Sequence, residues 1–217
     1  MALFQICFFS SLRLTGVAVG TMVAVGSAPV AAGVLGRVVY GERLTFRWGI
    51  ATFLAITGCC LLSRGGSEMT ANAAGVSLAA IASVCYAFCG IGIKGIGRVR
   101  PSEDAAVAAL CLGALVLTPF LLLSDMSWIV SVRGTGVALH LGALATALPY
   151  TLFSRGLLTT PMSTAYTLTL TEPLTAFLLG VLLLGESLTF VSMSGIVLLL
   201  MGLLSMSLGS VRASKGE

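Results

Sequence analysis

The sequence predicts an all-α polytopic membrane protein, built as an inverted-repeat helical bundle with about eight helices present. Three observations predict it: the composition, the placement of the charges, and an internal duplication. Of 217 residues, 57% are hydrophobic and 9% are charged, and the mean hydropathy is +1.06. A soluble domain is about 25% charged, so this chain lacks the polar surface to face water on all sides. That shortage excludes a soluble enzyme, a nucleic-acid binder and a disordered linker. The charges gather in short clusters between long uncharged runs, and a helix that spans a bilayer needs about 20 mostly apolar residues.

Taken in order, the apolar runs are residues 2–12, 16–40, 48–62, 73–93, 105–123, 134–153, 162–184 and 190–208, followed by a polar tail. The first run reaches only about half of a ~30 Å hydrocarbon core at 1.5 Å per residue. It reads as a re-entrant segment or as the end of a helix that starts before Met1, and the duplication favours the second. No cleavable leader is expected, because Arg13 follows the first run where a small-residue cleavage site would stand. The six cysteines all lie inside apolar runs, form no C-x-x-C and have no histidine at metal-ligand spacing. They read as small packing residues, and no metal or cofactor is expected.

The duplication has an offset of 144 residues. Phe9-Ser10, Leu14-Thr15, Pro29, Gly36, Gly41-Glu42, Leu44-Thr45-Phe46 and Gly58 return as Phe153-Ser154, Leu158-Thr159, Pro173, Gly180, Gly185-Glu186, Leu188-Thr189-Phe190 and Gly202. Five spans separate the two Gly-Glu turns, so the turns fall on opposite sides of the membrane and the repeats are inverted. The cations agree. With the Gly41 turn in the cytoplasm, Arg37, Arg43, Arg47, Lys94, Arg98, Arg100, Arg155, Arg212 and Lys215 lie inside, and Arg13, Arg64 and Arg133 outside, as the positive-inside rule requires. Inverted repeats are common in secondary transporters, where alternating access comes from rocking between related halves.

The stretch Gly16-Val-Ala-Val-Gly-Thr, through Ser27-Ala-Pro29 to Gly41-Glu42-Arg43-Leu44-Thr45, resembles the fourth helix of EamA-type transporters of the drug/metabolite transporter superfamily. Thr171-Glu172-Pro173-Leu174, through Gly180 to Gly185-Glu186, is similar to that family's ninth helix. The resemblance implies ten helices in two five-helix inverted repeats with both ends in the cytoplasm, and an activity of exporting amino acids, other metabolites or drugs. On that frame residues 1–66 are the remainder of a first repeat (part of helix 3, then helices 4 and 5). Residues 67–210 are a second repeat of helices 6–10, and 211–217 are a cytoplasmic tail. The chain departs from the pattern by starting within the third helix.

Glu172 is the only acidic residue well inside a span, and such a group is a functional candidate by default because an ionised carboxylate at mid-bilayer costs several kcal/mol. A small-residue stripe, Gly16, Gly20, Ala24, Ala28, Ala32 and Gly36, suits close helix contact, and the 144-residue shift sets Glu172 on the place of Ala28. Thr169, Thr171 and Thr175 add hydroxyls. Pro29 and Pro173 are expected to break their helices and to free the carbonyls of Val25 and Thr169. Two readings stand beside each other: a polar patch that binds substrate or a proton, and a structural glutamate that braces a kink.

Tyr86, Tyr166 and the lone His140 complete the candidate substrate-binding set with Glu172 and Thr169. Tyr86, Tyr150 and Tyr166 could each turn a hydroxyl into a cavity, with core packing as the alternative, and His140 could equally be a packing histidine. Trp48 and Trp128 read as interface anchors, Lys94 and Arg155 as snorkelling cations, and Glu42 and Glu186 as caps near their turns. No Ser/His/Asp set, paired intramembrane carboxylates or phosphate-cradling loop is present, so an enzyme is not expected. The expected function is a secondary transporter that exports small metabolites such as amino acids or drugs across the plasma membrane by alternating access. Its expected partners are a small-molecule substrate, membrane lipid and a second copy in a homodimer, with no nucleic acid. The rival is a truncated, non-transporting membrane protein or scaffold.

Overall fold

The computed structural model describes residues 1–63, 72–184 and 189–214. In order the elements are α1 (Ala2–Tyr40), α2 (Phe46–Ser63), α3 (Ala73–Gly97) and α4 (Ser102–Leu122). A 3-10 turn (Ser127–Val130), α5 (Val132–Leu139), a π-helical stretch (His140–Ala147) and α6 (Leu148–Thr159) follow. Last come α7 (Met162–Leu168), α8 (Thr171–Leu184) and α9 (Phe190–Ser214). No strand occurs among the described residues. Five stretches are long and apolar enough to cross a membrane: Ala2–Tyr40, Ala73–Gly97, Ser102–Leu122, Val132–Thr159 and Met162–Leu183; Phe46–Leu62 and Phe190–Met206 are shorter apolar helices. Large apolar side chains such as Phe53, Leu115 and Leu182 are at least 70% exposed, as suits a surface solvated by lipid.

α1 is two helices joined at Gly16, whose φ of 79° and ψ of 162° are non-helical. A Cβ there would meet nothing within 4 Å, so glycine is needed for the backbone angle and not for space. The break falls between the first and second apolar runs. Its place in the second half is Thr160, the extended residue between α6 and α7 (φ −122°, ψ 140°). Pro29 lies inside α1 with no break there, which corrects the expectation that it would interrupt the helix.

The chain folds as two compact units: residues 1–3 with 88–160, and residues 4–87 with 161–217. In the first, α4 packs on α6. The helix from Val132 to Thr159 widens to π geometry just before Pro149. Pro149 offers no N–H and its ring crowds the carbonyl four residues back. The ladder shifts register, so that Leu148 N–H reaches the Ala143 carbonyl.

In the second unit α2 and α9 make the dominant contact, and it displays the duplication directly. A Cβ on Gly58 would stand 2.6 Å from Gly195 O and Leu199 N, and one on Gly202 would stand 2.6 Å from Ala51 O and 2.9 Å from Ala55 N. Adding 144 to 51, 55 and 58 gives 195, 199 and 202, so each contact is the image of the other. Rising numbers on α2 meet falling numbers on α9, so the images run antiparallel, the arrangement that a two-fold axis in the membrane plane produces. Their starts match as well: Thr45 Oγ1 accepts from Trp48 N–H and Thr189 Oγ1 from Ser192 N–H, both at 3.1 Å, two N-caps of the same kind. The stripe Ala24, Ala28 and Ala32 is buried at 0–2% exposure. Gly185, Glu186 and Leu188 of the duplicated turn lie outside the described residues.

Candidate functional site

The seventh apolar run is two half-helices, α7 and α8, with Thr169 and Leu170 between them. Pro173 falls in the first turn of α8, where a missing N–H removes no helical bond. The chain therefore stops and restarts ahead of the proline. The last four carbonyls of α7 and the break have no helical partner, and each finds one locally. Thr169 Oγ1 donates to Tyr166 O at 2.8 Å and Leu170 N–H to Thr167 O at 3.2 Å. The Thr171 hydroxyl donates to Leu168 O, and Glu172 N–H donates to Thr169 O at 2.9 Å. The expected freed carbonyl of Thr169 is thus corrected: Glu172 N–H occupies it, which lets an irregular segment persist at membrane depth.

Glu172 stands in the first turn of α8, at the end of the helix dipole that favours negative charge. Its side chain is exposed, and its carboxylate has no hydrogen-bond or ion-pair partner among the described residues. The inward face expected from Ala28 does not transfer: Ala28 is fully buried, whereas Leu168, Glu172 and Ala176 on the matching stripe are all exposed. That face borders a cleft of about 210 Å3 between α1, α2 and α8, whose lining includes Thr21, Met22, Cys59, Pro173, Ala176 and Phe177. Ala176 lies one turn beyond Glu172, on the same side of α8.

Tyr86 and Tyr166 meet edge to face with centroids 4.8 Å apart, and Phe4 stacks on Tyr86 at 5.1 Å. Tyr166 is fully buried and its hydroxyl donates to the Tyr86 carbonyl at 2.7 Å. Tyr86 and Tyr166 thus form an aromatic pair, and Thr169 joins Tyr166 to Glu172 through their backbone atoms alone, its hydroxyl donating to Tyr166 O and its carbonyl accepting Glu172 N–H. His140 lies on the other compact unit, exposed, at the head of the π stretch. Pro29 is buried in α1 and Pro173 lines the cleft. A second cleft, about 440 Å3 between α3, α4 and the first residues of α1, has an apolar lining apart from the Cys89 thiol.

Several polar residues differ from their expected roles. Lys94 does not snorkel: it is 5% exposed, and Nζ donates to the Thr160 carbonyl at 2.8 Å, at the negative end of α6 where a cation is favoured. Trp48 is more than an interface anchor, since Nε1 donates to Ser163 O at 3.1 Å. Glu42 caps α7 instead of its own following helix, with Oε2 accepting Met162 N–H at 2.7 Å. Arg155 is the exposed partner of Glu103, with Nε donating to Oε1 at 2.8 Å. Tyr150 Oη lies 3.4 Å from the Met1 sulfur. Sequence reasoning missed Ser83, one turn before Tyr86 on α3. It is 1% exposed, and its Oγ is without a hydrogen-bond partner among the described residues. A lone serine in an alanine-rich helix gives no signal of that kind.

The family model described as the EamA-like transporter family matches residues 1–64 and 73–208. The chain belongs to that family. EamA-like proteins similar to it include the uncharacterized transporter YwfM of Bacillus subtilis, 42% identical over 207 residues, covering 95% of this chain and 70% of the relative. An uncharacterized transporter of Archaeoglobus fulgidus is 29% identical over 77% of this chain and 59% of its own. The threonine/homoserine exporter RhtA of Salmonella typhimurium is 30% identical over 76% of this chain and 54% of its own length. The chain thus spans little more than half of the last two relatives. A crystal structure at 21% identity superposes with a TM-score of 0.75 over 97% of this chain and 74% of that one, which shows the fold. The EamA relatives are membrane transporters rather than enzymes.

Proposed function

We propose that this EamA-like protein exports small metabolites from the cytoplasm across the plasma membrane by alternating access, and that Glu172 is the group that meets the substrate or a coupled proton. The observation that carries the proposal is the exposed carboxylate, without a partner among the described residues, in the first turn of a half-helix inside an apolar span. A transporter built on broken helices uses such termini for substrate and ion groups. A carboxylate that braced a kink would be spent on the backbone, and here the threonine hydroxyls and N–H groups already satisfy the break.

The substrate reading follows from the same chemistry. A carboxylate next to an apolar cleft suits an ammonium group on a small organic body, and RhtA is named for threonine and homoserine; an amino acid is therefore the substrate class we propose. Tyr86, Tyr166 and Thr169 are proposed as further substrate contacts. Ser83 offers a hydroxyl that gains by acquiring a partner. Residues 1–66 and 67–210 would be the two repeats that rock against each other, with lipid around them and a homodimer as the proposed assembly.

The test is counterflow in proteoliposomes loaded with threonine or homoserine, with a panel of other amino acids beside them. Accumulation of label by the native chain, lost or stripped of its pH dependence in Glu172→Gln, supports the proposal. Equal counterflow and equal pH dependence in Glu172→Gln remove Glu172 from it.

A further inference from the structure

We infer that Glu42, Trp48 and Thr52 form a one-sided polar latch on α7, and that they set the membrane face toward which the resting transporter is closed. Three rungs lie in sequence along α7. Glu42 Oε2 accepts Met162 N–H at 2.7 Å, Trp48 Nε1 donates to Ser163 O at 3.1 Å, and the hydroxyls of Thr52 and Thr167 bond at 3.1 Å. All three join the Gly41 turn and α2 to α7, inside one compact unit. The third rung is wholly buried, with Thr52 at 3% and Thr167 at 0% exposure.

The fit is built by two glycines of α1. A Cβ on Gly33 would stand 2.7 Å from the Trp48 ring, and one on Gly36 would stand 2.7 Å from Glu42 Oε2 and 3.2 Å from Met162 Cβ. Any larger residue at either place would push a rung away.

The duplication supplies the comparison that makes the latch one-sided. At an offset of 144, Trp48 corresponds to Ser192, Thr52 to Ile196, Ser163 to Val19, Thr167 to Val23 and Gly33 to Phe177. Ile196 and Val23 carry no polar side-chain atom, so the third rung has no image. Ser192 has no ring N–H to reach across, and its hydroxyl is engaged by Thr189 at 2.8 Å. Glu186, the image of Glu42, lies outside the described residues. Alternating access requires each end of an inverted pair to open in turn, so the Trp48 and Thr52 rungs, which have no image among the described residues, bias the equilibrium toward closure at the Gly41 end. Trp48 and Thr52 are thus positioning residues that act through α7. The inference takes its meaning from the transport cycle, but its readout needs no substrate.

The experiment places a single cysteine by Ser163→Cys in the full chain with its six native cysteines replaced. Ser163 is 3% exposed and joins the latch through its carbonyl, which the substitution keeps. A membrane-impermeant maleimide is applied from each face of oriented vesicles. Adding Trp48→Phe with Thr52→Val should raise labelling from the Gly41 face by about tenfold or more, each lost hydrogen bond shifting a two-state equilibrium by about fivefold. A second variant, Val23→Thr with Ile196→Thr, leaves the native latch intact and installs the missing rung at the other end. It should raise labelling from the Gly41 face by about threefold or more. Unchanged labelling in either variant overturns the latch, and so does label that enters equally from both faces. If counterflow fails while these shifts appear, the substrate reading falls and the latch stands.

Discussion

Replacing Gly58 by alanine tests the antiparallel seam of α2 and α9 at its tightest point. The new Cβ would stand 2.6 Å from Gly195 O and Leu199 N and 2.8 Å from Leu199 Cβ. The first two are backbone atoms and cannot swing aside. Restoring ordinary contact at 3.4 Å means parting the helices locally by about 0.8 Å, the difference of the two distances. A gap of that size forfeits about a quarter to a half of each dispersion contact it opens, and overpacking of a close seam costs about 1–3 kcal/mol. Gly49→Ala is the control: it lies on the same helix with nothing within 4 Å of its Cβ, so it should gain up to ~1 kcal/mol of helix propensity. Gly58→Ala makes the same propensity gain, which cancels, so the two variants should differ by about 1–3 kcal/mol in equilibrium unfolding by SDS in mixed micelles. Gly202→Ala, the image of Gly58→Ala, should cost a similar amount. The double variant should cost less than the sum, because helices already parted no longer resist the second Cβ. If Gly58→Ala unfolds at the same SDS fraction as Gly49→Ala, the close approach and the two-fold argument built on it are both wrong.

Four further outcomes follow from named contacts. Tyr166→Phe keeps the ring pair with Tyr86 but removes the hydroxyl that meets the Tyr86 carbonyl, and should lower stability by about 1 kcal/mol in the same micelle titration. Ser83→Ala removes a buried hydroxyl with no partner among the described residues, so its melting temperature should be unchanged or higher; lower counterflow beside it would mark Ser83 as a substrate contact. Arg155→Gln breaks an exposed ion pair with Glu103 and should leave the unfolding midpoint nearly unchanged, with the small effect shrinking further at high salt. Asp125, in the link after α4, has its carboxyl held below the ordinary range by the Ser127 N–H that donates to it. A depressed carboxyl contributes above its unfolded value and loses that contribution as pH falls through the folded one, so the Ser127 amide resonance should move at a pH below the ordinary aspartate range.

Most of the helical layout was legible because a bilayer imposes length and apolarity on every span, and charges interrupt them. Gly41 was legible as a turn because only glycine takes positive φ cheaply, and it is at 67°; Gly16, read as the first residue of a contact stripe, is instead the break within α1, at 79°. The duplication was legible because capping and close-contact residues repeat with it, as Thr45 with Thr189 and Gly58 with Gly202. Prolines misled. Pro29 sits in a continuous helix, Pro173 in the first turn of a new one, and Pro149 answers to a π stretch that no local pattern announces. What a proline does depends on whether the preceding carbonyls find other donors, and at Thr169 that depended on two threonines and a backbone turn. Long-range polar partners were illegible for a related reason. Lys94 with Thr160, Trp48 with Ser163 and Glu42 with Met162 are separated by 66 or more residues, and a side chain at a span end reads the same whether it snorkels or caps another helix.

A duplicated chain carries its own control, since each position in one half has an image in the other under the same fold. Where images agree in chemistry, the residue serves what both halves need: N-caps at Thr45 and Thr189, and contact glycines at Gly58 and Gly202. Where they differ, what the halves share does not explain the difference. Ala28 is fully buried in the unbroken part of α1, whereas its image, Glu172, is an exposed acid in the first turn after a break, beside a cleft. Its carboxylate has no hydrogen-bond or ion-pair partner among the described residues, so the fold does not account for it. The same reasoning separates Trp48 and Thr52 from Ser192 and Ile196. Scaffold is what the two halves share, and the candidates for substrate and gating chemistry are what one half holds alone.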